Sequence, residues 1–347
     1  MKSMHDAWQW RPDFGPWFAQ LASKARKWRP TIDVRPDVDL ASALQEAAER
    51  AAPWLFHPCL SAITHDCPAG RRERDVALAG WLAAHASVNG SLTLAEPVWC
   101  WSTDGGVQLD SGRHELRRVG ELMVADRATD VMMLDPWCTV LGYPHADTWA
   151  AAAATSSNDN SSAGIQKGTV VALRTFTLIA ATLPDAWAWL NMLTRILITL
   201  EGKGRLSRSS SSADLPGLVM ADTTSELALS ELLVHETAHH LLYVAEAGGP
   251  LIDPNESRLF ASPLRSDARP MRGILLAYHA LAFICAFYSD LHHSPVGKDV
   301  IDPTDFANLQ RLLQEAESTL LTASASFTRK GRLFFDHTRQ VAGCVIA

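Results

Sequence analysis

The chain has 347 residues, 47% of them apolar, with a formal net charge of -7. That is enough material for a large core or for two sub-domains. The acidic balance, with no cluster of lysine and arginine set against it, argues against a nucleic-acid surface.

Taken in chain order, residues 1–38 are rich in Trp, Pro and Arg and read as an irregular arm. There is no apolar h-region at the start, so no signal peptide is expected. The six cysteines form no CxxC pair, which fits reduced thiols and a cytoplasmic protein. Helices are expected over residues 39–52 and 72–87. From Ser91 the texture changes: Ser91 to Leu94 alternates with period two, and Asp104-Gly105-Gly106 is a hairpin turn. Strands are expected at 106–109 and within 121–134, giving a small, mostly antiparallel sheet between residues 90 and 140.

Thr155 to Gly168 is polar and low in complexity, and reads as a loop and a domain boundary. Residues 1–160 would form a mixed helix and sheet region that binds a substrate peptide. Residues 161–347 would form a helical metal-binding region, so the fold class expected is α+β. Residues 169–182 and 184–200 read as two helices, with Pro184 tolerated in a first turn. The longest apolar run, Val170 to Leu183, is too short and too polar to span a bilayer. Residues 207–213 read as a second loop, and 216–220 as a short strand.

Thr223 and Glu226 then form a capping box, and a periodic helix runs from Leu227 to about Ala247. Gly248-Gly249-Pro250 ends it. Inside it lies His235-Glu236-Thr237-Ala238-His239. Residues four apart share one helical face, so two imidazoles can reach one metal ion. Glu236 takes the place of the water-activating carboxylate of metalloproteases. The alternative is a structural histidine pair; helical context and burial favour the metal. His240 points off the shared face.

A third ligand is needed. Asp253 and Glu256 are close in sequence, but Pro250 and Pro254 make that stretch a loop. His279 is the better candidate, on a second apolar helix expected from Pro270 to Tyr288. His292 and His293 fall beyond that helix, on the surface. Arg265, Arg269 and Arg272 cluster just ahead of it. Arg272 lies on the same face as His279, about 10 Å along the axis. An arginine fork there suits a carboxylate held bidentately near the metal. A surface salt bridge to Asp267 or Glu256 is an equal reading.

The runs Leu233 to Val244, Ser262 to Gly273 and Leu275 to Phe283, with the serine-rich lead-in Ser209 to Asp222, resemble the HExxH peptide-modification family of ribosomal-peptide (RiPP) biosynthesis. The similarity covers roughly residues 205–290. Two positions depart from the family's pattern: Leu264 stands for a tryptophan and Ala268 for a proline. The resemblance implies an iron(II)- and 2-oxoglutarate-dependent peptide β-hydroxylase. It makes His235 and His239 metal ligands and Glu236 the motif glutamate. It matches Arg265 and Arg269 to the family's arginines and puts His279 on the following helix. Three histidines on one side of iron would leave positions for 2-oxoglutarate and oxygen, and the arginines would grip the distal carboxylate. Glu236 would then orient a ligand or bound water. The partner implied is a precursor peptide, with no nucleic acid and no membrane. Two other readings stay open: a zinc metallopeptidase with Glu236 as general base, and a peptide-binding protein without catalysis.

Overall fold

The computed structural model describes residues 8–9, 11–25, 34–36, 89–94, 98–102, 105–119, 122–125, 132–134, 139–141, 162–194, 196–200, 209–213, 217–295 and 301–346. The helices expected over 39–52 and 72–87, and most of the arm at 1–38, lie outside these residues. The architecture is α+β and mostly helical, as expected. The chain divides into two compact units, each built from more than one stretch of sequence.

One unit comprises residues 15–173 and 191–226 and holds the larger sheets, while the other has a short antiparallel pair, Leu259–Phe260 with Arg269–Pro270. Helix α1 (Gly15–Ala25) buries Trp17, Phe18 and Leu21, one face of a helix. Strands β1 (Val34–Pro36), β2 (Asn89–Leu94), β5 (Gly112–Val119), β6 (Leu122–Ala125) and β7 (Met132–Leu134) form an antiparallel sheet in the order β1-β2-β5-β6-β7. Strands β3 (Val98–Ser102) and β4 (Gly105–Leu109) pair as a hairpin in which Ser102 faces Gly105. The hairpin and the antiparallel sheet are therefore as the turn glycines predict.

A second sheet was not expected. Strands β8 (Thr139–Leu141), β9 (Ile196–Leu200) and β11 (Leu218–Asp222) run parallel, and β10 (Ser209–Ser211) pairs antiparallel with β11 at the edge. This corrects two expectations. Residues 184–200 are not one helix, because the chain leaves helix after Leu193 and re-forms as β9. The run Ile-Leu-Ile-Thr-Leu is rich in β-branched residues, which fit a pleated central strand better than a helix turn. The serine-rich stretch at 207–213 also supplies an edge strand. Parallel neighbours need a long crossover, and helices α2 (Ser162–Thr182) and α3 (Pro184–Leu193) lie within the one joining β8 to β9. Helix α2 starts at Ser162, so the polar loop expected through residue 168 ends earlier.

The other unit comprises residues 1–14, 174–190 and 227–347. Its helices are α4 (Glu226–Glu246), α5 (Met271–His293), α6 (Pro303–Thr322) and α7 (Arg329–Ile346). Helix α4 starts at Glu226, two residues later than a cap at Thr223 would place it. Helix α5 runs from Met271, with Pro270 at its N-cap, and takes in His292 and His293, both exposed. It is the one helix among the described residues long and apolar enough to cross a membrane, by length and composition; Val170 to Leu183 is not. Fifteen of its residues are buried, which is the pattern of a central core helix. Asp302 caps α6, accepting a hydrogen bond from the Thr304 N–H at 2.7 Å, with Pro303 in the first turn.

Helix α5 packs between neighbours through aromatic rings. Trp8 Nε1 donates to Asp290 Oδ2 at 2.6 Å, and the Trp8 ring lies 5.4 Å from Trp189 and 5.7 Å from Phe283. Trp189 stacks on Phe283 at 4.6 Å. On the other side Tyr278 meets Phe335 of α7 at 5.5 Å.

The loop between α4 and α5 is pinned to the start of α7. Asp253 N–H donates to the Ser326 carbonyl at 2.8 Å, and Thr328 N–H to the Leu251 carbonyl at 3.0 Å. A β-carbon on Gly331 would stand 1.7 Å from the Leu251 carbonyl oxygen, so only glycine permits this approach. Glu256 accepts hydrogen bonds from Arg258 and from Ser326 Oγ, and these hold its carboxyl at about 2, below its ordinary value. A depressed carboxylate pKa stabilises the fold above the unfolded value and is lost as pH falls through the folded one. The difference in melting temperature between the wild type and Glu256→Gln is therefore expected to shrink as pH drops from 4.5 towards 2. A difference independent of pH across that window would show that the clasp contributes nothing.

Candidate metal centre

Helix α4 is buried on most sides: Leu229, Leu233, Val234, Leu241, Leu242 and Val244 all face the interior. The partly exposed positions from Leu232 onward are Leu232, His235, His239, Tyr243 and Glu246. Their spacing of three and four draws a single stripe along the helix. Both motif histidines lie on it, and Glu236 lies on the buried side, 3% exposed. The imidazoles of His235 and His239 are 4.3 Å apart between centroids, in an edge-to-face arrangement. Glu236 Oε1 is 4.0 Å from His235 Nε2. The spacing argument is therefore realised in space.

Burial holds the His239 pKa well below its ordinary value, and His235, His279, His240 and Arg272 add to the effect in that order. The ring is neutral at neutral pH and keeps a lone pair. Its Nδ1 is buried and has no hydrogen-bond partner. An uncompensated buried imidazole nitrogen is costly unless it gains a ligand or an ion. His235, with 30% of its side chain exposed, leaves the pair accessible. Adjacent, one turn apart and reachable, the two rings fit as two ligands of a divalent ion.

Helices α4 and α5 run antiparallel in a register that three contacts define. Arg272 at the start of α5 meets Glu246 at the end of α4. His279 lies against the backbone of Ala238. Tyr288 near the end of α5 donates to Glu231 near the start of α4. His279 thus stands opposite His239 across the helix pair. It is fully buried, between Phe283 at 5.0 Å and Phe334 of α7 at 4.7 Å, and burial pushes its pKa down to about 3. Among the described residues, no three or more His, Cys, Asp or Glu side chains are grouped to hold a metal ion. His235 and His239 come together; His279 lies on the neighbouring helix against Ala238 and is not grouped with them.

The two carboxylates weighed as alternative ligands are engaged elsewhere. Asp253 Oδ1 accepts from Asn255, and Glu256 is clasped by Arg258 and Ser326. The arginines separate. Arg265 is exposed, and Arg269 pairs with Asp267 at 3.0 Å. Arg272 pairs with neither Asp267 nor Glu256. It forms two parallel bonds of 2.7 Å to the carboxylate of Glu246 and lies 5.7 Å above the ring of Tyr243. Tyr243 in turn is 6.4 Å from His239. Arg272 is therefore the arginine that adjoins the histidine stripe. Sequence reasoning overlooked Tyr243 and Glu246, although both continue the three- and four-residue steps that begin at His235.

No protein-family model matches the chain, and no curated protein matches it in sequence.

Proposed function

We propose that the chain is an iron(II)- and 2-oxoglutarate-dependent dioxygenase that hydroxylates a side-chain carbon, the β-carbon, of a ribosomally made precursor peptide. The observation that carries this reading is the stripe on α4: two adjacent histidines, with the fork of Arg272 from α5 set beside it one to two turns further along. A hydrolase needs the histidines but gives that arginine no task. In this reading His235 and His239 are metal ligands and His279, opposite them, is the third. Arg272 grips the distal carboxylate of 2-oxoglutarate, and Arg265 and Arg269 line the approach. Iron(II), when bound, supplies the oxygen-activating chemistry. Glu236, on the buried side of the motif, orients the ligand set. The region through residue 160 is assigned to holding the peptide, and the cytoplasm is the compartment this reading implies.

The metallopeptidase type that takes a carboxylate as third ligand would draw on Asp253 or Glu256, and both are engaged elsewhere. The decisive measurement is to search beside this gene for a short precursor-peptide gene and to weigh its product after incubation with the protein, iron(II), 2-oxoglutarate and oxygen. A gain of one oxygen, with succinate formed and 2-oxoglutarate required, is the expected result. Two shorter fragments made without 2-oxoglutarate would overturn it. Glu236→Gln gives an independent check. Losing a general base costs a peptidase about 10²–10⁴-fold in rate, whereas the hydroxylase is expected to lose less than about tenfold.

A further inference from the structure

The fork of Arg272 already holds a carboxylate, that of Glu246. Nε and Nη2 each donate at 2.7 Å to a separate oxygen, the geometry with which a guanidinium takes any planar carboxylate. The pair is open to water, with 47% of the Arg272 side chain and 22% of the Glu246 side chain exposed. Ion pairs in such surroundings contribute little net stability and exchange readily. The pair sits over Tyr243, and seven residues along α4 place Glu246 about 10 Å from His239. A second cation is also close by: Lys330 of α7 lies within electrostatic reach of Glu246.

We propose that Glu246 is a built-in competitor for the carboxylate seat of Arg272, a latch that a short dicarboxylate opens by taking its place on the guanidinium. This rests on the hydroxylase reading for the identity of the dicarboxylate, and it adds a regulatory element to that site. One end of the incoming ligand replaces Glu246 on the fork above Tyr243, and the other end points along the stripe towards His239. The displaced Glu246 carboxylate turns to water and towards Lys330, which Asp13 also neighbours electrostatically. Occupancy then depends on ligand concentration set against a fixed internal anion, which raises the threshold at which the site fills.

The test is calorimetric titration of the metal-free, full-length chain with 2-oxoglutarate and with succinate. Glu246→Gln removes the competing charge and is expected to tighten binding of both about tenfold. Glu246→Asp, whose carboxylate is one methylene short of the fork, is expected to tighten it as well and serves if the first variant folds poorly. Adding Arg272→Ala to either variant is expected to abolish the gain. Unchanged or weaker binding in both Glu246 variants would overturn the latch. The two ideas fail separately: a hydroxylated peptide with unchanged titrations sinks the latch alone. Tightened titrations beside a cleaved peptide sink the hydroxylase and leave an anion switch.

Discussion

Replacing His239 by alanine is expected to strip the protein of its metal and abolish turnover, and His235→Ala is expected to do the same. The two rings stand 4.3 Å apart, and His239 keeps a buried nitrogen with no hydrogen-bond partner. A ligand pair of this kind cannot lose one member without losing most of its affinity. Groups that merely orient ligands cost about 10–100-fold in affinity when removed, so a ligand itself should cost more than that. Competition against a chelator would measure the affinity, and product mass the turnover. His292→Ala, on an exposed ring at the far end of α5, is the control and should keep its metal. Because His235 and His239 lie on the partly exposed stripe of α4, thermal melts of both variants should stay close to that of metal-free wild type. Full metal content in both would show that the histidines are a packing pair.

Trp189→Ala is expected to cost about 3–5 kcal/mol of stability, the usual range for a buried tryptophan lost to a cavity. Trp189 is 0% exposed and packs against Trp8 and Phe283, which also meet each other. Phe283 in turn lies 5.0 Å from His279. The ring cluster of Trp8, Trp189 and Phe283 therefore backs the side of Phe283 against which His279 is held. Two effects should appear together: a lower denaturation midpoint with little change in the denaturant slope, and weaker metal binding in the protein that remains folded. Trp189→Phe, which keeps an aromatic ring, should recover much of both. A stable Trp189→Ala variant would mean that the cluster closes over the gap.

Much of the site was legible in the chain itself. His235 and His239 are placed by their spacing alone, because a helix fixes what four residues apart means in space. The Gly248-Gly249-Pro250 stop and Pro270 mark the end of α4 and the start of α5 for the same reason, since φ restrictions act locally. The hairpin of β3 and β4 was likewise written in two glycines. Ile196 to Leu200 was misread because a short apolar run looks alike as buried helix or buried strand. Its parallel partners lie at 139–141 and 218–222, far away in sequence.

What the sequence determined by itself is therefore local: the HExxH face, the ends of α4 and α5, and the pairing of β3 with β4. What only the tertiary structure decided is register between elements. It sets His279 opposite His239, gives Arg272 to Glu246 instead of Asp267 or Glu256, and commits Glu256 to Ser326. The physical reason is that backbone geometry carries information over one or two turns, whereas the sliding of one helix against another is settled by side-chain packing. For α4 and α5 that packing involves residues of α3, α7 and the N-terminal Trp8, which no local pattern brings together.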